Sequence, residues 1–260
     1  MAAGASGRPI VWAHRGASLE APENTLAAFE RAARLGAHGI ELDVQRCASG
    51  EVVVFHDRSL ARTTGFVGLI EETPWSVLRA LDAGARFSPR FAGERVPLLA
   101  EVLAQTPPSL LVNVELKCAR LDDRGLTAET LRVIAEARAG ERAVLSSFNT
   151  LCMLRARSLE PRVARALLFD ENSSWPARGA WLGPVLGARA LHPHFPLCSE
   201  RALRRWRFLG YSATAWTVDD PDEARRLARA GCEGIMTNAP ELMLRALGWS
   251  LIPQPQAAAR

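Results

Sequence analysis

Two of the five histidines in this 260-residue chain come directly after short apolar runs. His14 follows VWA and precedes Arg15, while His56 follows VVVF and precedes Asp57. A strand ending at each position would place the imidazole at its carboxyl end, where α/β folds commonly build active sites. A histidine titrates near neutral pH and can transfer protons, and the planar guanidinium of Arg15 suits phosphate. We therefore predict that both histidines are catalytic, with hydrogen-bonded rim residues as the alternative.

Acidic residues alternate with apolar ones in two further strand-like runs, GIELDV and LLVNVELK. Successive side chains of a strand point to opposite faces, so Glu41 lies beside Asp43, and Asn113 and Glu115 share a face with Lys117. Three converging carboxylates repel one another unless a cation compensates them, and all-oxygen ligands favour Mg²⁺ or Ca²⁺. The alternative is a set of structural ion pairs with inward arginines. Lys117 either joins such pairs or holds a substrate anion.

The elements that would position these residues alternate between strand-like and helical patterns along the whole chain. The strand-like runs are 9–13, 39–44, 51–56, 110–116, 143–147, 163–169, 190–193, 211–218 and 234–238. The helical patterns lie at 24–36, 97–105, 127–139, 149–158, 199–208, 220–230 and 239–247. Sustained alternation predicts a parallel sheet covered by helices, and about eight such units fit an α/β (β/α)8 TIM barrel.

One segment is too long to be an ordinary connection between a strand and a helix. Residues 57–95 far exceed the roughly two to six residues usual for such loops. We expect a small insertion after strand 2, with a short helix near 74–81, lying over the active-site face. Residues 9–250 would then form a single barrel domain between an N-terminal tail at 1–8 and a flexible C-terminal tail at 251–260.

The composition is typical of a globular protein, with 48% hydrophobic residues and a net charge of +4. No apolar run is long enough for a membrane span. The N-terminal apolar run is too short for a secretory signal, which predicts a cytoplasmic protein. Arginines are spread along helical stretches without a basic block, so we expect no nucleic-acid partner. The five scattered cysteines indicate reduced thiols, and the oligomeric state is left open.

In their order and spacing, the motifs resemble the glycerophosphodiester phosphodiesterase family over roughly 10–245. The matching stretches are HRGASLEAPENTLAAF, GIELDVQ, VVFHD, RTTG, VPLLAEVL, NVELK, SSFN, AWTVDD and GIMTNAP. One departure is the Thr-Asn-Ala-Pro at 237–240, where many members carry Thr-Asp-x-Pro and some carry asparagine. The resemblance implies a TIM barrel that uses a divalent metal ion, Mg²⁺ or Ca²⁺, and whose insertion covers the glycerol end of the substrate.

The resemblance also implies roles for individual residues, several of which strand position had already singled out. The implied residues are the metal ligands Glu41, Asp43 and Glu115, the general acid and base His14 and His56, and the phosphate-binding Arg15 and Lys117. Trp216 would line the pocket against glycerol carbons, with a buried core tryptophan as the alternative.

The predicted function is hydrolysis of a glycerophosphodiester, such as glycerophosphocholine or glycerophosphoethanolamine, to sn-glycerol 3-phosphate and an alcohol. The nucleophile is either water or the neighbouring glycerol hydroxyl, and either histidine could be the acid. The closest alternative is a lysophospholipase D on the same scaffold, whose wider and more apolar mouth would be supplied by Phe66, Phe87, Phe91 and Trp175. A barrel that binds phosphodiesters without catalysis is a second alternative. A metal hydrolase with histidine ligands is disfavoured, because no HxH follows the first strand.

Overall fold

The structure is a computed structural model, and it describes residues 7–118 and 122–251 of the chain. The predicted tails, 1–8 and 251–260, fall almost wholly outside the described residues. The strands are β1 Ile10–His14, β2 Gly39–Arg46, β3 Val52–Val54, β4 Leu111–Leu116, β5 Ala143–Ser147, β6 Ala164–Phe169, β7 Ala190–Pro193, β8 Ser212–Ala215 and β9 Gly234–Thr237. The α-helices are α1 Leu26–Leu35, α2 Ala61–Thr64, α3 Trp75–Leu78, α4 Leu99–Gln105, α5 Leu126–Glu136, α6 Thr150–Leu159, α7 Trp175–Arg178, α8 Gly183–Leu186, α9 Glu200–Phe208, α10 Pro221–Arg229 and α11 Pro240–Ala246. Short 3-10 helices cover Ile70–Glu72, Pro89–Phe91 and Phe195–Leu197.

Eight of the strands form a closed parallel barrel. Going round the ring, β1 pairs with β2, β2 with β4, and each later strand with the next, until β9 pairs with β1. All of these pairings are parallel. Helices lie between successive strands in the chain, as a parallel sheet requires. The predicted (β/α)8 class is confirmed.

The third predicted strand does not belong to the barrel. β3 pairs antiparallel with the carboxyl end of β2, with Val54 opposite Val44. β2 runs on past the rim, the chain turns at 47–50, and β3 comes back towards the barrel mouth. The prediction that His56 ends a strand of the barrel is therefore wrong, because β3 lies outside the barrel. His56 nevertheless lies at the carboxyl rim of the barrel, because β3 runs back from the hairpin turn towards that rim.

The helices pack by the periodicity that predicted them, as α1 illustrates. Thr25 caps its N-terminus by accepting a hydrogen bond from the N–H of Ala28, and Gly36 ends it with a left-handed φ of 88°. Phe29 and Leu35, on one face, are buried against the barrel. Within the described ranges, no helix combines the length and apolar composition that a membrane span needs.

The segment 57–95 carries α2, α3 and a small core of its own. Leu60, Ile70 and Leu78 are fully buried and cluster with Val53 of β3. The guanidinium of Arg90 donates a hydrogen bond at 2.9 Å to the carbonyl oxygen of Glu20, in the loop after β1. The segment thus packs against the chain at the carboxyl rim of the barrel.

Candidate active site

Three acidic side chains point into the mouth of the barrel from β2 and β4. The parallel register pairs Asp43 with Glu115, and Glu41 lies two residues earlier on β2. One carboxylate oxygen from each residue lies within 4.8 Å of those of the other two. Glu41 and Asp43 are at most 1% exposed and Glu115 is 9% exposed. The structure therefore brings together the three acids that strand parity predicts to converge.

Two cations, Lys117 and Arg15, contact these acids. The Nζ of Lys117 donates to Oε1 of Glu115 at 2.6 Å and lies 3.0 Å from Oδ1 of Asp43, outside hydrogen-bond geometry. Arg15 places Nε 3.3 Å from Oδ2 of Asp43, and its backbone N–H donates to Oε2 of Glu41 at 3.0 Å. Oε1 of Glu41 and Oδ1 of Asp43 accept no hydrogen bond from any residue that the structure describes. The ion-pair alternative accounts for only part of the cluster.

The pKa values of the acids show that these cations do not balance the cluster. Burial and the nearby Asp43 raise the pKa of Glu41 well above its ordinary value. Burial likewise raises the pKa of Glu115 to about 7, against the opposing effect of Lys117. For Asp43 burial acts in the same direction, but Lys117 and Arg15 outweigh it and lower the pKa. Raised pKa values mean that the negative charges of the cluster are not fully compensated. A hard divalent cation, which prefers carboxylate oxygens, would compensate them.

His14 ends β1, and its ring stands beside Glu41. Its Nε2 lies 3.9 Å from Oε2 of Glu41, and its Nδ1 is hydrogen-bonded to Oδ1 of Asn238 at 2.8 Å. Asn238 in turn donates from its side-chain amide to Asp219 at 2.7 Å. Burial and the charge of Arg15 lower the pKa of His14 to about 4. The ring is therefore neutral at pH 7, with its proton on Nδ1 and a lone pair on Nε2.

His56 lies just beyond β3, on the hairpin arm that returns from the rim. The backbone N–H of Phe55 donates to the carbonyl oxygen of Asp43 at 2.9 Å, which fixes this arm beside the acids. The Nδ1 of His56 is hydrogen-bonded to Oδ1 of Asp57 at 2.7 Å. Burial lowers the pKa of His56, while the charge of Asp43 opposes the shift. His14 and His56 thus lie beside the same cluster of acids.

Asp57 belongs to a charged network that joins the insertion to the loop after β1. Arg62 donates to Oδ2 of Asp57 at 2.5 Å and to both carboxylate oxygens of Glu23 at 2.7 and 2.8 Å. Glu23 also accepts a hydrogen bond from Nη1 of Arg15 at 3.1 Å. The network therefore connects the charged neighbour of one histidine to the charged neighbour of the other.

The loop after β1 is shaped by two residues with left-handed backbone conformations. Arg15 and Asn24 both have φ of 57°, which is unusual for a residue other than glycine, and more so for arginine than for asparagine. The conformation of Arg15 points its N–H at Glu41. The side chain of Asn24 donates to Oδ2 of Asp43 at 2.8 Å and accepts from the backbone N–H of Asp43 at 3.2 Å. The loop is thereby held directly on the acids.

Trp216 forms an aromatic wall with two neighbouring side chains. It is partly exposed, its ring centroid lies 5.7 Å from that of Phe148, and the ring of His194 lies 4.9 Å away. Its Nε1 donates to the carbonyl oxygen of His192 at 2.8 Å. Trp12, by contrast, is fully buried within the barrel.

A cleft of about 510 Å³ opens at the rim beside the acids. His56, Glu115 and Lys117 are among its charged and titratable lining residues, and Phe148 contributes an aromatic side chain. Its volume is that of a small-molecule site, and such sites combine apolar walls with a few polar groups that orient the ligand.

The sequence profile of the glycerophosphoryl diester phosphodiesterase family matches residues 14–242. The glycerophosphodiester phosphodiesterase of Caldanaerobacter subterraneus subsp. tengcongensis is 35% identical over 239 residues, which are 91% of this chain and 97% of that protein. The chain belongs to this family. It is an enzyme that hydrolyses glycerophosphodiesters, which confirms the predicted class.

Solved structures of similar proteins agree with this assignment. An Oleispira antarctica phosphodiesterase in complex with the product sn-glycerol-3-phosphate has a TM-score of 0.82 and 31% identity, over 94% of this chain and 98% of that one. A glycerophosphodiester phosphodiesterase from Agrobacterium tumefaciens has a TM-score of 0.80 and 27% identity, over 91% and 99% of the two chains. The TIM barrel found here is thus the fold of this phosphodiesterase family.

Two residues beside the histidines were not assigned a role from the sequence. Asn238 accepts from His14, and Asp219 holds Asn238 through hydrogen bonds to its backbone and side-chain N–H groups at 2.8 and 2.7 Å. Asn238 directly follows β9. The strand-end position that singled out His14 would also have pointed to Asn238.

Proposed function

We propose that this phosphodiesterase releases sn-glycerol 3-phosphate and an alcohol from substrates such as glycerophosphocholine and glycerophosphoethanolamine. The observation that carries the proposal is the convergence of Glu41, Asp43 and Glu115 at the rim beside His14 and His56. The three acids would hold a divalent cation, Mg²⁺ or Ca²⁺. When bound, such an ion supplies a charge clamp for a phosphate oxygen and a template for the substrate.

Arg15 and Lys117 would bind the phosphate beside the acids. An ammonium group has three donors, and Glu115 takes one of those on Lys117, which leaves donors for substrate oxygens. The pKa of Lys117 is raised, because the charges of Asp43 and Glu115 overcome its burial, so the side chain stays cationic. A preorganised donor of this kind stabilises developing charge by about 3 kcal/mol in other enzymes.

The two histidines would transfer the protons of the reaction through their Nε2 atoms. In both rings the Nδ1 atom is held by a neighbour, Asn238 for His14 and Asp57 for His56. One ring would remove a proton from the nucleophile, and the other would protonate the departing alkoxide. Each transfer typically contributes about 10²–10⁴ in rate.

Trp216 would contact the carbon atoms of the glycerol moiety, and the insertion at 57–95 would cover that end of the substrate. The partial exposure of Trp216 and its position in the wall with Phe148 support the first role. The packing of the insertion against the loop after β1 supports the second. A cytoplasmic location stays a prediction.

The proposal is tested by measuring glycerol 3-phosphate release from a panel of head groups after chelation and re-addition of Mg²⁺, Ca²⁺ or Mn²⁺. We expect chelation to abolish release and one of these ions to restore it. In Glu41→Gln no concentration of ion should restore wild-type turnover, whereas the exposed Glu136→Gln on α5 should behave as wild type. Full activity in chelator, or in Glu41→Gln, would refute the metal site. A chain that releases no glycerol 3-phosphate from any head group would refute the reaction.

A lysophospholipase D activity is the second candidate, favoured by exposed aromatic side chains. Phe66, Phe87 and Trp175 are 38%, 43% and 66% exposed, and Phe87 packs edge-on to Phe91 at 5.6 Å. These side chains could contact an acyl chain. Comparing kcat/KM for glycerophosphocholine and lysophosphatidylcholine decides the question, and a higher value for the lysolipid would favour this candidate.

A further inference from the structure

The interior of the barrel holds a group of polar atoms that have no hydrogen-bond partner among the described residues. They are Nε1 of Trp12, Oε1 of Glu41, Oδ1 of Asn113, Oγ of Ser146 and both ring nitrogens of His192. Each of these side chains is at most 1% exposed. Buried polar groups in native proteins nearly always bond to protein or to ordered water. So many unsatisfied atoms in one place therefore call for partners beyond those that residues 7–118 and 122–251 supply.

The strand register places these atoms in two adjacent layers of the barrel, at and just below the level of the acids. In a (β/α)8 barrel, inward side chains from alternate strands stack in layers of four. The pairings of β1 with β2, β4 with β5, β6 with β7 and β8 with β9 fix which residues share a level. The upper layer consists of Glu41, Ser146, His192 and Met236. Trp12 and Asn113 belong to the layer beneath.

His192 stands across this layer from Glu41, and Ser146 lies between them on β5. Burial lowers the pKa of His192 to about 3, so the ring is neutral and has one donor and one acceptor nitrogen. The hydroxyl of Ser146 can both donate and accept, and Oε1 of Glu41 can accept. The upper layer thus places several donors and acceptors without a partner among the described residues on inward-facing positions of three barrel strands. A buried water typically makes about three hydrogen bonds.

We propose that this layer is a closed site for ordered water, and that His192 is a positioning residue that orients Glu41 through this water. Oε2 of Glu41 is already fixed by the backbone N–H of Arg15, and water bound to Oε1 would fix the second oxygen. The inference rests on the metal site of the proposed function. Outer-shell partners that orient a ligand commonly change metal affinity by about 10–100-fold.

The test is calorimetric titration of Mg²⁺, Ca²⁺ and Mn²⁺ into the metal-free full chain. His192→Leu keeps the apolar volume and removes both ring nitrogens, and it should weaken binding of the preferred ion at least about tenfold. His192→Gln keeps one donor and one acceptor and should recover most of the affinity. Met236→Leu changes the same layer without removing a strong hydrogen-bonding group, so it controls for repacking and should bind as wild type.

Calorimetry measures metal affinity and not turnover, so its outcomes can be distinguished from those of the activity assay. If His192→Leu binds the ion as wild type does, or if Met236→Leu weakens binding equally, the inference is overturned. If His192→Leu does not fold, Ser146→Ala takes its place and should also weaken binding of the ion, and wild-type affinity in Ser146→Ala would overturn the inference. A high-resolution crystal structure of the wild type should show water bonded to His192 and Ser146, and a dry layer would overturn the proposal. Wild type that binds metal but hydrolyses nothing would refute only the proposed reaction.

Discussion

The two histidines of the site sit on very different supports. His14 belongs to a barrel strand, and its tether is the neutral amide of Asn238. His56 belongs to the hairpin arm, and its tether is the carboxylate of Asp57, which Arg62 holds with its side chain 49% exposed. One half of the site is thus built on barrel strands and the other on the hairpin and insertion. Similar imidazoles are oriented by a partly buried neutral contact in one half and by partly exposed charges in the other.

This difference decides what each half depends on. A neutral amide contact is little affected by salt, whereas exposed ion pairs are weakened by it. In the hairpin half, packing adds to the stability that these ion pairs provide, because Leu60, Ile70 and Leu78 form a fully buried core in the insertion. The orientation of His56 therefore depends on the folding of the insertion as well as on its charges.

The largest effect should come from removing either imidazole. We expect His14→Ala and His56→Ala each to lower kcat for glycerophosphocholine by about 10²–10⁴, because each removes a proton-transfer group. The circular dichroism spectrum and the melting temperature should stay close to wild type. Near-normal activity of both variants would contradict this comparison, since neither half of the site would then contain a catalytic histidine.

The acids of the strand half should make metal binding depend on pH. Burial raises the pKa of Glu115 to about 7 and that of Glu41 in the same direction, so the metal-free cluster holds protons near neutral pH. A cation must displace them, so affinity should fall as pH drops below about 7, by about tenfold per unit for each proton displaced. Calorimetry in two buffers of different ionisation enthalpy measures the released protons. Binding that is unchanged between pH 8 and pH 6 would contradict the shifts.

The tether of His14 can be made to resemble that of His56. Asn238→Asp places a carboxylate on Nδ1, which should raise the pKa of His14 by about 1 unit because it stabilises the imidazolium. The limb of the pH–kcat/KM profile that His14 controls should therefore move to higher pH. Asp219 lies 2.7 Å from the amide of Asn238, and its charge opposes the new carboxylate and limits the shift. An unmoved profile would show that His14 does not titrate in turnover.

The contrast between the halves also explains what could be predicted from the sequence. Period-two alternation along β2 and β4 is enough to place Glu41, Asp43 and Glu115 on one face, because barrel strands have fixed neighbours and register. The antiparallel direction of β3 could not be predicted in the same way. A three-residue apolar run has the same composition in a hairpin arm as in a barrel strand, and pairing direction depends on tertiary contacts.

The hydrogen bonds that orient the two histidines, and the aromatic wall around Trp216, could not be predicted from sequence patterns for a related reason. Asn238 reaches His14 from the other end of the chain, and Arg62 reaches Glu23 across 39 positions. Such contacts depend on side-chain conformations and on how the insertion packs. The stretch between β6 and β7 is similar. Its Trp, Gly and Pro residues leave no clear helical pattern, and the structure forms the two short helices α7 and α8 there. Periodicity locates elements, whereas long-range polar contacts require the folded structure.

The smallest expected effect separates the two halves most cleanly. Arg62→Met removes the contacts to Asp57 and Glu23, and exposed pairs of this kind contribute about 0.2–1 kcal/mol. We expect kcat to fall less than about fivefold, through loss of His56 orientation, while metal affinity stays at the wild-type value because the acids lie on barrel strands. Arg95→Met is the matched control, since Arg95 is an exposed arginine of the same segment that bonds the carbonyl of Arg79.

Salt completes the test of this last prediction. High ionic strength should lower wild-type kcat towards that of Arg62→Met and should change the variant little, because screening removes the interaction that the substitution has already removed. If metal affinity fell together with kcat in Arg62→Met, the insertion would be supporting the acids as well as the histidine. The division into a strand-borne half and a hairpin-borne half would then have to be abandoned.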